Sequence, residues 1–527
     1  MSSIPSNISR VSGSLTADLL RSNLRNSNVQ LLEAQTLIAT GKRVNRPSDD
    51  PSVIGGISLL NRELSLFNQQ ISNLSRAQTS IDSTGQALAD VSDILLEAQN
   101  IASSQVGVGT TAEGRANQAQ VISGQITALL NIANRSVRGI HLFGGENANV
   151  APFEEHLGGV RYTGSRNDLQ ADLGLLGDLG VNLNGADAFG ALSARVAGSV
   201  DLDPDATANT RLVDLVGARG VGITRGEVEL TVDASTVTVD LAGADTLGDI
   251  VTRINDAITN IDPTAGALSV SADGLTLTAN AGHTVAIADI GEGITAADLG
   301  IDVSATAASV VGADLNPKLT EQTLISSFGP TVDLASGLKV TMGTTTTTID
   351  FAGLTTVRQM MNKVQAADLG IRLEINDAGT GFNLVNETSG ISMSVGENSG
   401  GTTATDLGIR TLDLGTELSD FRYGLGVSTV TGADMRIHTR NGTEIDVDLS
   451  GATDVQQVLI AINAAAGGAV TASLETDGNG IRIDDNTAGG DNFSIASLNG
   501  SLAAEHLGIE KNVGAASFIR GDDNAQV

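Results

Sequence analysis

The chain has 527 residues, carries a formal net charge of −31 and contains neither cysteine nor tryptophan. This length is enough for about three to five domains, and the lack of cysteine excludes a disulfide framework or a thiolate metal site. No stretch of the sequence reaches the ~18 apolar residues of a membrane-spanning helix, so membrane insertion is not predicted.

The negative charge is concentrated in one part of the chain. Residues 1–145 carry 11 basic and 10 acidic residues, whereas residues 146–527 carry 19 and 51. A nearly neutral surface can pack against copies of itself, while a strongly acidic surface stays solvated and repels nucleic acid. The composition therefore predicts a self-associating front part, a solvated acidic body and no nucleic-acid partner.

Three helices are predicted at the front of the chain. The first runs from about Leu15 to Ala39 and is ended by Gly41, which suits the position just after a helix. The second runs from Leu60 to Ala102 and would be ~64 Å long, and the third covers residues 115–137. Apolar residues recur every seven positions in the first two helices, which is typical of a coiled coil.

These apolar stripes have two explanations. The helices could form a three-helix bundle within one chain, or they could pack on neighbouring subunits. The stripe of the first helix has no evident internal partner, which favours subunit packing. The predicted subunit-interface residues are Leu20, Leu24, Leu31, Ile38, Leu60, Leu64, Phe67, Ile71, Leu74, Ile81, Leu88 and Leu95.

The loop between the first two helices reads TGKRVNRPSDDP from Thr40 to Pro51. Asp50 can cap free backbone N–H groups, and Pro51 suits the first helical position. The remaining charges of this loop, Lys42, Arg43, Arg46 and Asp49, form either a plain surface loop or a contact with a neighbouring subunit.

This loop belongs to a set of motifs that resembles a known family. GKRVNRPSDDP at residues 41–51 is followed by LFGG…PF within residues 139–153, a Tyr-x-Gly strand at 162–164 and a VNLNGADAF segment at 181–189. In this combination, residues 1 to about 190 resemble bacterial flagellins, and the RPSDDP form and the later motifs favour the hook-associated branch of that family over the filament flagellins.

The resemblance implies a function, partners and a location. It implies a structural subunit of the bacterial flagellum at the hook–filament junction, with a filament flagellin as the alternative. The implied partners are copies of the chain, neighbouring hook and filament subunits, and an export chaperone. Such proteins are extracellular and leave the cell by the flagellar type III route without a cleaved signal peptide. They end in a C-terminal helix, for which this sequence shows no apolar heptads near residue 527. Either the chain is a fragment or it departs from the family pattern, and the polypeptide as given is expected not to form a normal junction.

Beyond residue 225 the apolar period falls to two, which is typical of half-buried strands. The same order of strands, a helix and an Asp/His-Leu-Gly-Ile close returns three times, which predicts three similar β+α modules. They resemble the flagellin hook IN motif, whose helix ends in Ile-Asn, as at 254–255 and 462–463. The second copy departs from that pattern at Met360 to Val364.

The predicted fold class is therefore α+β and multidomain, with a long N-terminal helical coiled coil or hairpin followed by several small β-rich modules. The predicted divisions are 1–145 (flagellin-like helical domain), 146–224 (β-rich connecting region), 225–301 (first module), 302–337 (linker), 338–409 (second module), 410–434 (linker), 435–509 (third module) and 510–527 (approach to the missing C-terminal helix).

No catalytic site is predicted. The five histidines, at 141, 156, 283, 438 and 506, do not have the spacing of metal ligands, and the acidic residues are spread over turns and strand ends. We therefore expect no metal, no cofactor and no enzymatic activity. A surface hydrolase on a flagellin-type base remains the alternative from another class, and a deep cleft joining Asp or Glu with His within residues 225–510 would favour it.

Overall fold

The fold is seen in a computed structural model that describes residues 13–46, 50–105, 111–171, 179–180, 182–190 and 194–523. Long helices come first, and many small antiparallel sheets follow. The predicted α+β multidomain class is confirmed. Within the described ranges, no helix combines the length and apolar character needed to cross a membrane.

The three front helices are α1 (Gly13–Thr40), α2 (Pro51–Gln105) and α3 (Ala112–Ala133). Helix α1 ends because Gly41 adopts a φ of +64° and its N–H donates to the carbonyl of Leu37 at 2.8 Å, which is a common helix ending. Helix α2 has 55 residues and is therefore about 82 Å long. Helix α3 is capped by Thr111, whose hydroxyl accepts the N–H of Gly114 at 3.0 Å.

The chain forms two compact units, one of Met1–Leu95 with Asp168–Leu183 and one of Leu96–Asn167 with Asn184–Val527. The strands that follow α3 are β1 (Ser136–Val137), β2 (Ile140–His141), β3 (Phe153–His156), β4 (Gly159–Tyr162), β5 (Gln170–Ala171) and β6 (Leu179–Gly180). Strands β1–β2, β3–β4 and β5–β6 are antiparallel pairs. A short helix α4 (Gly185–Phe189) and strand β7 (Ala194–Val196) come next.

Residues 206–316 form what we call the first lobe. Its elements are β8 (Glu227–Val232), β9 (Ser235–Asp240), α5 (Leu247–Ile261), β10 (Gly266–Val270), β11 (Leu275–Ala279), β12 (Val285–Asp289), α6 (Thr295–Asp298), β13 (Val303–Thr306) and β14 (Ser309–Val311). The sheet orders are β13-β12-β8-β9 and β10-β11-β14. Helix α5 buries Leu247, Ile250, Ile254 and Ile258 in one core with both sheets.

The second lobe comprises residues 194–205 and 317–409, and one of its sheets also includes β3 and β4. Its further elements are β15 (Leu338–Met342), β16 (Thr345–Ile349), α7 (Val357–Ala366), β17 (Ile371–Ile375), β18 (Phe382–Asn386), β19 (Thr388–Ser389), β20 (Met393–Glu397) and α8 (Thr403–Asp406). The sheet orders are β16-β15-β20, β17-β18-β7 and β19-β4-β3. Strands β7 and β4 thus pair with partners about 190 to 230 positions later in the chain.

This pairing makes the first lobe an insertion in the second. The chain leaves the second lobe where the N–H of Leu202 donates to Thr380 O at 2.9 Å. It returns where the N–H of Leu319 donates to the neighbouring Gly379 O at 2.6 Å. Residues 146–224 and 302–337, predicted as a connecting region and a linker, therefore supply strands and core residues of the lobes.

Residues 410–523 form the third lobe. Its elements are α9 (Phe421–Gly424), β21 (Ala433–His438), β22 (Glu444–Asp448), α10 (Val455–Ala466), β23 (Val470–Leu474), β24 (Ile481–Asp485), β25 (Ser494–Ser497), α11 (Ala503–His506) and β26 (Phe518–Arg520). The sheet orders are β22-β21-β25 and β23-β24-β26. Strand β26 lies in the segment that was predicted to lead into a C-terminal helix. The sequence does not predict this strand, because its three residues are too few for a periodic signal.

Each lobe also has a segment that covers the N-terminus of its long helix. The first four N–H groups of a helix have no partner within it, and here a threonine carbonyl accepts the first of them. The bonds run from Leu247 to Thr210 (3.0 Å), from Val357 to Thr323 (3.1 Å) and from Val455 to Thr416 (3.0 Å). Residues around 210, 323 and 416 are therefore parts of the lobes, although the latter two lie in predicted linkers.

Candidate assembly surface

The apolar side chains of α1 are exposed along its whole length. None of its 28 residues is buried. The four predicted interface residues of this helix, Leu20, Leu24, Leu31 and Ile38, have 59%, 62%, 59% and 82% of their surface exposed. Leu15, Leu19, Val29, Leu32 and Leu37 are exposed as well. A helix gains most of its stability from packing an apolar face, so α1 is expected to be covered in the assembled protein.

The predicted residues of α2 form a second exposed stripe. Ile81 is 45% exposed and Leu88 is half-buried. More than half of the surface of each other member is exposed, namely Leu60, Leu64, Phe67, Ile71, Leu74 and Leu95. The buried residues of this helix are Ala77, Thr84 and Ala87, none of which belongs to the predicted set. The role of these twelve α1 and α2 residues in a subunit interface stays a prediction.

The size of this exposed surface is unusual for a stable monomer. Contiguous exposed apolar surface beyond a few hundred Å² marks an interaction site in most soluble proteins. Full burial of one Leu, Ile or Phe side chain contributes about 1.5–3 kcal/mol. Burying the remaining surface of eleven such side chains would contribute on the order of 10 kcal/mol before the costs of association.

The polar face of α2 carries hydrogen bonds between its own side chains. Three amide side chains donate to a residue four positions later. The pairs are Gln69 with Asn73 (3.0 Å), Gln78 with Asp82 (2.9 Å) and Gln86 with Asp90 (2.8 Å). Such pairs support a helix surface.

In the loop before α2, the carboxylate of Asp50 is held by two neighbours of its own chain. Ser52 Oγ donates to Asp50 Oδ1 at 2.6 Å, and Arg43 Nη2 lies 3.2 Å from Asp50 Oδ2. The Ser52 hydrogen bond, with a smaller contribution from Arg43, lowers the pKa of Asp50 below its usual value. Pro51 is the first residue of α2. Arg43 therefore has a partner within the chain, so contact with a neighbouring subunit is not needed to satisfy it.

The other predicted residues of this loop are Lys42, Arg46 and Asp49. Lys42 and Arg46 are exposed, and the carbonyl of Lys42 accepts a hydrogen bond from the side chain of Asn45 at 3.0 Å. Asp49 lies outside the described residues, so its predicted role stays a prediction.

An aromatic cluster lies next to α3 and was not singled out from the sequence. The chain has only ten phenylalanines and two tyrosines, yet Phe143, Phe153, Tyr162 and Phe189 pack with ring centroids 4.8 to 5.3 Å apart. Three of them line an apolar cavity of about 190 Å³ together with side chains of α3. The clustering of rare aromatic residues between positions 143 and 189 was the available signal.

The histidines take structural positions. His141, His156 and His438 each bond to a backbone carbonyl. His283 Nδ1 lies 2.9 Å from Asp233 Oδ2, but both side chains are accessible to solvent, as in an ion pair that joins two turns rather than a deep catalytic cleft. Within the part of the chain that the structure describes, no three His, Asp or Glu side chains are arranged to hold a metal ion.

Comparison with known proteins gives the class of the front part. Residues 11–148 match the family model for the bacterial flagellin N-terminal helical region, which covers α1, α2 and α3. Over 194 residues the chain is 24% identical to flagellar hook-associated protein 3 of Salmonella typhimurium. That alignment covers 36% of this chain and 60% of the relative, so the chain matches only part of the relative's length.

Solved structures give similar proteins. The FlgL protein of Xanthomonas campestris is 20% identical, with 35% of this chain and 62% of that chain covered and a TM-score of 0.24. The flagellar junction protein FlgL of Legionella pneumophila is 17% identical, with 37% and 62% covered and a TM-score of 0.23. The expected resemblance to the hook-associated branch of the bacterial flagellin family is confirmed by the family model and the curated relative.

Proposed function

We propose that this chain is a structural, non-enzymatic subunit of the bacterial flagellum at the junction between hook and filament. The proposal rests on where the exposed apolar stripes lie in the chain. The exposed apolar stripes of α1 and α2 lie within the segment that matches the flagellin N-terminal helical region. A helix face of this kind is suited to packing against the same helices of neighbouring subunits.

The distribution of charge along the chain supports different roles for its two parts. The helical front is nearly neutral, and the rest carries a net charge close to −32. Like charges repel over roughly 8 Å at physiological salt. Copies of the acidic lobes are therefore easier to place apart, in solvent around the assembly, than in its crowded interior. The lobes would form the outer surface of the flagellum and the helices its inner contacts.

The proposed partners follow from the same reasoning. They are further copies of the chain, the adjoining hook and filament subunits, and a chaperone that covers the apolar helices before export. Export to the flagellum without a cleaved signal peptide, and extracellular residence there, are parts of the proposal that rest on the resemblance.

Immunogold electron microscopy of flagella from the source bacterium tests the proposal, with antibodies raised against the acidic lobes. We expect label in a narrow band where hook meets filament. Label along the whole filament would identify a filament flagellin instead, and intact flagella without any label would overturn the flagellar role. A strain that lacks the gene provides the control for antibody specificity.

A further inference from the structure

A groove in the first lobe differs in charge from the acidic body around it. The groove has a volume of about 580 Å³ and is lined by residues between 212 and 225 and by Lys318. Its charged lining residues are Arg225 and Lys318, and no aspartate or glutamate of the described ranges lines it. Residues 146–527 carry 51 acidic and 19 basic residues, so a groove with this lining is an exception on their surface.

The same groove also presents apolar side chains. Leu212 and Leu215 belong to the core of the lobe and line the inner side of the groove. Val213 and Val221 line its outer side, with 58% and 74% of their surface exposed. A partner that places an apolar side chain against these valines removes apolar surface from water, which is favourable by about 25 cal/mol per Å².

Backbone hydrogen bonds fix the outer wall of the groove. Gly222 N–H donates to Val216 O at 2.7 Å, and Gly220 N–H donates to Gly217 O at 2.9 Å. Gly220 and Gly222 have φ values of +76° and +90°, which glycine adopts without strain, and Val221 lies between them. A wall that is already ordered loses little conformational entropy when a partner binds.

The two cations of the groove differ in their partners. Arg225 Nη1 lies 2.9 Å from Asp245 Oδ1 and donates to Ala244 O at 3.1 Å. Lys318 is exposed, and its ammonium group forms no ion pair with any residue of the described ranges. The N–H of Lys318 donates to Asp214 O at 2.7 Å, which fixes its backbone beside the groove. The positive charge of Lys318 is therefore available to an acidic partner.

We propose that this groove binds an acidic segment from the lobes of a second copy of the chain. An apolar side chain of that segment packs against Val221, and one of its carboxylates lies beside Lys318. The opposite charges of the groove and of the lobe surfaces favour this partner. The inference rests on the proposed function in one respect, because association of the front helices raises the local concentration of neighbouring lobes. Repulsion keeps the lobes apart elsewhere, so the groove provides one local contact between neighbours.

Photo-cross-linking of the full chain tests this contact. The chain contains no cysteine, so the variant Thr224→Cys attaches a short photoreactive group at a single site, which is exposed and lines the groove. A mixture of unlabelled and isotope-labelled copies distinguishes, by mass, cross-links between copies from those within one copy. We expect cross-links between copies, from the groove to peptides that contain Asp or Glu within residues 194–523.

Two charge reversals decide the interpretation. Lys318→Glu should lower the yield of these cross-links about three- to tenfold, because repulsion replaces one exposed attraction. Lys363→Glu is the matched control, since Lys363 is exposed on α7 and does not line the groove, and it should leave the yield unchanged. Equal losses in both variants would overturn the proposal. So would cross-links confined to the labelled copy itself or to helices α1 to α3 of its neighbour.

Sedimentation of the same samples keeps this inference apart from the proposed function. Association that depends on α1 and α2 but gives no cross-link from the groove would overturn the groove contact alone. Cross-links from the groove without association through the helices would support the groove contact and contradict the proposed role of the helices.

Discussion

At the scale of single residues, the ion pair between His283 and Asp233 makes the stability of the first lobe depend on pH. The hydrogen bond with Asp233 raises the pKa of His283 above 6.5, and Asp262 adds a smaller attraction. His283 Nε2 also lies 3.4 Å from Thr264 Oγ, whose hydroxyl is 2.6 Å from Asp262 Oδ1. The protonated ring thus joins the β8–β9 turn, the segment after α5 and the segment before β12.

The variant Asp233→Asn tests this arrangement. A raised pKa in the folded state stabilises the lobe fully below pH 6.5, and this contribution is lost as pH rises through the raised value. The stability difference between wild type and Asp233→Asn should therefore be larger at pH 5.5 than at pH 9. Urea unfolding followed by hydrogen exchange in residues 227–289 measures it. A difference that does not change with pH would show that the ion pair contributes nothing.

At the scale of one element, the Ile-Asn ending of a lobe's long helix has a physical explanation. Ile254 and Ile462 are buried in their cores, and the asparagine that follows each one binds the next strand twice. Asn463 Nδ2 donates to Ala472 O at 2.9 Å, and Ala472 N–H donates to Asn463 Oδ1 at 2.7 Å. Asn255 forms the same pair with Leu268. The asparagine thus fixes the helix to the strand that starts the second sheet.

We expect Asn463→Ala to destabilise the third lobe by about 1–3 kcal/mol, because the buried backbone groups of Ala472 lose their partners. Gln365→Ala is the matched control, since Gln365 occupies the equivalent position in the second lobe but is exposed. It should cost no more than about 0.5 kcal/mol. Hydrogen exchange of β23 and β17 measures the two effects, and similar losses in both variants would contradict this role.

The helices and strands show which elements local sequence patterns can predict. The heptads of α1 and α2 and the alternation of Val228, Leu230 and Val232 are local signals, and the structure has helices and a strand there. Strand β7 has three residues and pairs with a partner about 190 positions later. Neither its length nor the residues next to it in the sequence therefore predict it. Strands β10 and β23 contain Ala and Ser, which weakens the apolar alternation.

At the scale of the whole molecule, the first lobe should be removable. The chain leaves the second lobe at Leu202 and returns to it at Leu319. The N–H groups of these two residues donate to Thr380 and Gly379, which are adjacent in the chain, so a short Gly-Ser linker can replace residues 206–316. We expect the second and third lobes to keep wild-type hydrogen-exchange protection in this deletion variant. Loss of protection in β17 and β18 would show that the first lobe is needed for the second to fold.

Self-association is the other property of the whole molecule. Leu24→Asp places a charge on the exposed stripe of α1, and burying a carboxylate in an apolar contact is strongly unfavourable. We expect association, measured by analytical ultracentrifugation, to weaken at least about tenfold. The stability of the monomer should change by less than about 0.5 kcal/mol.

The matched control is Asn26→Asp, which adds the same charge about 200° away around the helix. It should leave association unchanged. Equal weakening by both variants would indicate a general charge effect, and unchanged association of Leu24→Asp would remove this stripe from the interface.

The sequence by itself determined the long helices, the split between a neutral front and an acidic body, the repeated β+α pattern and the resemblance to flagellins. These properties follow from periodicities and motifs formed by residues that lie close together in the sequence. The tertiary structure alone decided that one lobe is inserted in another, that predicted linkers cover helix N-termini, and that Lys318 lines one groove with residues between 212 and 225. Each of these depends on contacts between residues far apart in the chain, which no local pattern records.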